Sequence, residues 1–169
     1  MKQLGLVMIL FLGMSVYAEE ESNRTVVPGA LSVELFGKGM LYSVQFDQMM
    51  NEDLAAGAGF GSVGLKTSTG VDLSETAHLI PVYVNYYFMP NQGSLFATVA
   101  ASLVLNNNTA KSNVSNIADV EFTSAGVLPS FGLGYENRSG NGFLFRFIGY
   151  GVLGKTLKPW FGFVMGYAF

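Results

Sequence analysis

The chain has 169 residues, half of them hydrophobic and 12% charged, with 21 glycines, no cysteine and a formal net charge of -3. That length supports one domain around one buried region, and the missing cysteines exclude disulfides, thiolate metal sites and a cysteine nucleophile. The acidic balance excludes the basic field that nucleic-acid binding requires, while a charged share about half that of ordinary soluble domains suits a lipid solvent.

Residues 1–18 read as an export signal cleaved after Ala18. Lys2 is its only charge, the run from Leu4 to Val16 is almost wholly apolar, and Val16-Tyr17-Ala18 places small residues where a signal peptidase reads. The apolar run is shorter than the roughly 20 residues that a spanning helix needs. Residues 19–29, opening with Glu19-Glu20-Glu21, read as a solvated tail.

From residue 30 the apolar pattern has period two, as expected of strands with one lipid face and one lumen face. Eight strands are predicted: Ala30–Gly37, Gly39–Gln48, Leu54–Leu65, His78–Met89, Ser94–Leu105, Ala125–Glu136, Gly142–Leu153 and Pro159–Phe169. The first two require a tight outward hairpin at Gly37-Lys38-Gly39. Reading Leu31 to Gln48 as one strand would give seven, but single-chain bacterial barrels have even counts with both ends in the periplasm, which favours eight. Gly57, Gly59 and Gly61 share one face of the third strand; Ile80, Val82, Val84, Tyr86 and Phe88 share one face of the fourth, opposite Asn85. In the seventh, Phe143, Phe145 and Phe147 oppose Arg146 and Tyr150.

The last strand alternates most cleanly, with Phe161, Phe163, Met165, Tyr167 and Phe169 on one face and Gly162, Val164, Gly166 and Ala168 on the other. Connections alternate in length as well: 49–53, 89–94 and 137–142 are short, whereas 66–77 and 106–124 are longer and polar, the asymmetry of periplasmic turns and outward loops. The fold class read from these features is all-β: a transmembrane, antiparallel up-and-down barrel over residues 30–169, with residues 19–29 as its periplasmic tail.

This pattern resembles the small outer-membrane β-barrel families of Gram-negative bacteria, the eight-stranded OmpA-like and OmpW-like barrels. The likeness runs from about Leu31 to Phe169 and is most specific in the terminal strand Trp160-Phe161-Gly162-Phe163-Val164-Met165-Gly166-Tyr167-Ala168-Phe169. It implies residence in the outer membrane among lipid and lipopolysaccharide. It also implies that Phe163, Tyr167 and Phe169 are an address for the barrel-assembly machinery during insertion, with no part in a mature activity.

Some eight-stranded barrels act enzymatically on lipid A, which requires a nucleophile beside a base. His78 is the sole histidine, with Ser68, Asp72, Ser74 and Glu75 upstream, but Leu79 and Ile80 follow it where lipid A deacylase barrels carry a His-x-Ser pattern. No catalytic role is assigned to it. Asp119 and Glu121 are a pair of loop acids without metal-ligand spacing, the Gly57–Gly61 glycines lie within a strand and away from any phosphate-binding turn, and no cofactor is called for.

What remains is the lumen, which at eight strands is just wide enough for side chains to fill it or to hold one small ligand. The strand phase turns Glu34, Ser43, Gln45, Asp47, Asn85, Tyr87, Ser102, Ser130, Glu136 and Arg146 inward. A buried Arg146 requires a carboxylate; Glu34 is the first expectation, Asp47 or Glu136 the next, and with Asn85 these form a predicted polar network. Lys38, Lys66, Lys111, Lys155 and Lys158 fall in predicted outward loops or strand ends, where they could meet lipopolysaccharide phosphates. The expected function is a non-enzymatic structural or surface-interaction role, such as adhesion or envelope support. A narrow channel or carrier for a small apolar molecule is the first alternative, and a lipid A-modifying enzyme the second.

Overall fold

Period-two alternation leaves every strand with an apolar face to place and a polar row to enclose, and a sheet closed on itself does both without leaving an edge. The computed structural model describes residues 27–67, 70–89, 93–106, 125–154 and 156–169, with side chains throughout except at 63–76, 106 and 125. Every regular element among the described residues is a strand: β1 (Gly29–Leu35), β2 (Tyr42–Met49), β3 (Leu54–Thr67), β4 (Gly70–Tyr87), β5 (Gly93–Asn106), β6 (Ala125–Arg138), β7 (Phe143–Leu153) and β8 (Leu157–Ala168). Each pairs antiparallel with the next, and β8 returns to β1 to close the barrel. The closing seam runs from Ala30 opposite Ala168 to Leu35 opposite Phe163, and backbone bonds between Gly29 and Phe169 extend it. Val27 and Phe169 therefore lie at one end of the barrel, the termini end; the β1–β2 and β7–β8 turns lie at the far end.

Two predicted connections are corrected. The stretch at 66–77 is mostly strand, since β3 reaches Thr67 and β4 starts at Gly70, with a register shift between Gly64 and Leu65. Val63, Thr67, Val71 and Thr76 are β-branched and favour extended backbone, so polarity there did not end the ladder. The hairpin expected at Gly37-Lys38-Gly39 is a longer turn, Phe36 to Leu41, closed by Phe36 N–H donating to the Leu41 carbonyl at 3.0 Å. Phe36 (φ 58°) and Met40 (φ 69°) are left-handed there, which neither strand could accommodate. At the termini end, Gly142 has φ 90° at the β6–β7 turn, and a side chain in its place would meet the Ala168 carbonyl at 2.7 Å. The predicted 106–124 connection lies, from residue 107, outside the described residues, as does the predicted export signal.

Every strand turns large apolar side chains outward, among them Leu31 on β1, Phe60 on β3, Val99 on β5, Leu133 on β6 and Met165 on β8. An apolar coat of this extent far exceeds the patches tolerated on soluble monomers. Inside, apolar residues pack at both ends, with Leu144, Phe96 and Ala168 toward the termini and Leu79, Val104, Leu128 and Val152 toward the far end. A polar belt lies between them.

Candidate functional site

The inward row of β2 reads Ser43, Gln45, Asp47, because alternation carries every second side chain into the lumen. The same phase brings Glu34 from β1, Asn85 and Tyr87 from β4, Ser102 from β5, Ser130 and Glu136 from β6, and Arg146 from β7. All ten residues of the predicted inward set are buried. Charges inside a barrel wall are far from water and have to be matched within the lumen.

Six charged side chains are buried among the described residues: Glu34, Asp47, Glu136, Lys38, Arg138 and Arg146. They balance, three against three, and divide into two layers. In the lower layer the Arg146 guanidinium forks onto Asp47, with Nη1 at 2.7 Å from Oδ2 and Nη2 at 3.0 Å from Oδ1. Its Nε donates to Glu136 Oε2 at 2.5 Å. Planar bidentate geometry of this kind is the strongest form of charge-assisted hydrogen bond. The Tyr87 hydroxyl donates to Glu136 at 2.7 Å and that of Tyr83 to Asp47 at 3.2 Å, so the remaining lone pairs are also used. A methyl group at Gly57 would collide with the Tyr83 ring; the bare backbone there makes room for it. Arg138 completes the layer at the termini end, 3.4 Å from Glu136 and 3.6 Å from Asp47, with Nη1 donating to the Val27 carbonyl at 2.9 Å.

The upper layer is centred on Glu34. Lys38 Nζ lies 3.2 Å from its Oε1 and donates to the Tyr150 hydroxyl at 2.9 Å, and that hydroxyl donates onward to Glu34 at 2.7 Å. Gln45 Nε2 and the Ser43 hydroxyl also donate to Glu34.

Two expectations are thereby corrected. Arg146 pairs with Asp47 and Glu136 and not with Glu34, because β2 and β6 bring their carboxylates to its level while Glu34 sits one layer higher with Lys38. Lys38 is not an outward contact for lipopolysaccharide: its turn folds into the lumen and buries it. Of the other lysines, Lys158 is half-buried on the lumen phase of β8 at the far end, Lys66 lies in β3 with its side chain outside the described set, and Lys111 and Lys155 lie outside the described residues. Asn85 is buried, yet its Oδ1 has no hydrogen-bond partner, so it stands beside the charged network. Phe163, Tyr167 and Phe169 are on the outer phase of the last strand, with Tyr167 and Phe169 more than half exposed.

His78, expected at the start of its strand, lies within the longer β4; its Nδ1 and the Ser62 hydroxyl are 2.8 Å apart across the β3–β4 ladder, and its ring stacks on Phe60. Ser68 is outside the described residues, and the side chains of Asp72, Ser74 and Glu75 are outside the described set; Asp119 and Glu121 also lie outside the described residues. Arg138 and Lys38 were not foreseen in the lumen. Arg138 continues the parity of Glu136 by two residues, a signal masked by reading it as part of a turn.

No protein-family model matches the chain, and no curated protein matches it in sequence. Among solved structures it is similar to the N-terminal β-barrel domain of Pseudomonas aeruginosa OprF, with a TM-score of 0.57, 13% identity, and coverage of 83% of this chain and 97% of that one. A weaker similarity, with a TM-score of 0.48 and 14% identity, is to the Yersinia pestis outer membrane protein Ail in a phospholipid bilayer nanodisc, covering 84% of this chain and 99% of that one. The chain thus has the fold of the small eight-stranded outer-membrane β-barrels.

Proposed function

We propose that the chain is exported, sits in the bacterial outer membrane with its termini end toward the periplasm, and serves envelope structure or surface interaction without catalysing a reaction or conducting ions. The observation that carries this reading is the filled lumen: two ion-paired layers spanning β1, β2, β6 and β7 leave the strand wall and the far-end loops as the parts able to meet a partner. Within it, residues 1–18 are the cleaved signal and 19–26 a periplasmic tail, while Val27 and Pro28 already bond to the barrel at Arg138 and Met49. Phe163, Tyr167 and Phe169 serve recognition by the assembly machinery. Lys66, Lys111, Lys155 and Lys158 remain candidates for lipopolysaccharide phosphates at the far end.

Planar-bilayer recording on refolded protein tests the reading. A quiet membrane is expected, because an Asp47–Arg146–Glu136 bridge crossing an eight-stranded lumen leaves no continuous water path. Regular conductance steps from the unmodified protein would overturn it in favour of a narrow channel.

A further inference from the structure

The β1–β2 turn behaves unlike a connecting loop. Its backbone enters the far end of the lumen, where Lys38 N–H donates to Glu34 Oε2 at 2.9 Å and the Lys38 carbonyl accepts from the Ser102 hydroxyl at 2.9 Å. Its ammonium meets one carboxylate, one hydroxyl and one aromatic face: Glu34, the Tyr150 hydroxyl and the Tyr83 ring, 4.2 Å from its centroid. A carboxylate and a phenol oxygen beside one aromatic face are groups that recognise an organic ammonium. At the same end Met40 is buried within the apolar cluster whose far-end members, Leu79, Val104, Leu128 and Val152, form a collar, and Trp160 packs against that cluster.

We propose that the far end of the lumen is a binding pocket for a primary organic ammonium bearing a short apolar chain, held shut by Lys38 and Met40 of the protein's own turn. The stopper is built to be displaced. Phe36 and Met40 hold left-handed backbone without being glycine, which loads the inward conformation with strain. The glycine at 37 lets the turn lie over Glu34, whose carboxyl group a methyl there would strike. Among the described residues, Ser102 supplies the hydrogen bond from the wall to the turn's backbone other than those from its flanking strands. The Asp47–Arg146–Glu136 bridge beneath is anchored on strands β2, β6 and β7 and takes no bond from the turn, so displacement opens a blind pocket and leaves the barrel sealed. Access from outside rests on the orientation proposed above; the binding chemistry does not.

Trp160, the single tryptophan, reports on the collar. Protein refolded in detergent, with folding verified by its gel mobility before and after boiling, is titrated with n-butylammonium, n-butanol and butyrate while Trp160 fluorescence is followed. The ammonium is expected to give a saturable change that the alcohol and the acid do not, and Glu34→Gln to abolish it. Lys38→Ala is expected to bind about tenfold tighter or more, since the tethered competitor is gone. Ser102→Ala keeps the whole cage, frees the turn, and is expected to tighten binding should Lys38→Ala not fold. An equal response to butanol, no saturable response in the folded protein, or unchanged affinity in both Lys38→Ala and Ser102→Ala would overturn the proposal. Bilayer conductance reads the lower layer, so its result stands apart from this one.

Discussion

A guanidinium sealed inside a barrel has to satisfy its donors locally, and Arg146 does so with carboxylates from two other strands. Replacing it by alanine leaves Asp47 and Glu136 facing each other with the more distant Arg138 as their remaining cation. Arg146→Ala is therefore expected to lower stability by about 3–5 kcal/mol, the range for breaking a buried ion pair, measured by urea unfolding of the refolded protein in lipid vesicles. A loss under about 1 kcal/mol would mean that the network is hydrated and of surface strength. Gly57→Val tests the packing beside it. The new side chain meets the Tyr83 ring and is expected to cost about 1–3 kcal/mol, as overpacked sites do. At this scale parity made much of the lumen legible: Glu34, Asp47, Asn85, Glu136 and Arg146 could be turned inward from alternation alone. Partner choice was harder. Glu136 opposite Arg146 follows from folding one hairpin about the 139–142 turn, whereas Asp47 meets Arg146 only once β8 closes onto β1, which no local pattern encodes.

Strand order follows from chain order in an up-and-down barrel, so at the scale of elements the one pairing without a hairpin to set it is the β1–β8 seam. Its register places Leu31 opposite Tyr167, both on the outer face. Cysteines at these two positions are expected to cross-link under mild oxidation, while Leu31→Cys with Met165→Cys, displaced by two residues along β8, is expected to remain reduced because diagonal pairs exceed disulfide reach. The reverse preference would show a slipped seam. Where the sequence misled was at strand ends. Polar residues between 66 and 77 suggested a loop, but beyond the lipid a ladder continues whether its side chains are apolar or not. Gly37 and Gly39 suggested a tight hairpin, yet the left-handed positions are Phe36 and Met40, and the glycines provide room against Glu34 and Ser43. Lys38 went inward for that reason, a choice made by the fit of the turn to the lumen and invisible in charge pattern.

The whole molecule reverses the arrangement of a soluble domain, with a polar, charge-balanced belt inside and a continuous apolar coat outside. That inversion makes one further demand: a charge on the coat must be costly. Val99 is on the outward phase of β5 and two-thirds exposed, and Val99→Arg is expected to destabilise the inserted protein by about 2–4 kcal/mol if it lies near the bilayer midplane, read from the same vesicle unfolding assay. In a soluble sandwich the same change would be neutral. The central claim, a closed barrel that needs a lipid solvent, is tested most directly by mobility on SDS gels of the refolded protein with and without boiling. The account predicts that the unheated protein migrates as a distinct folded band that boiling converts to the unfolded one. A single band unaffected by heat, from protein that stays dissolved without detergent, would contradict it.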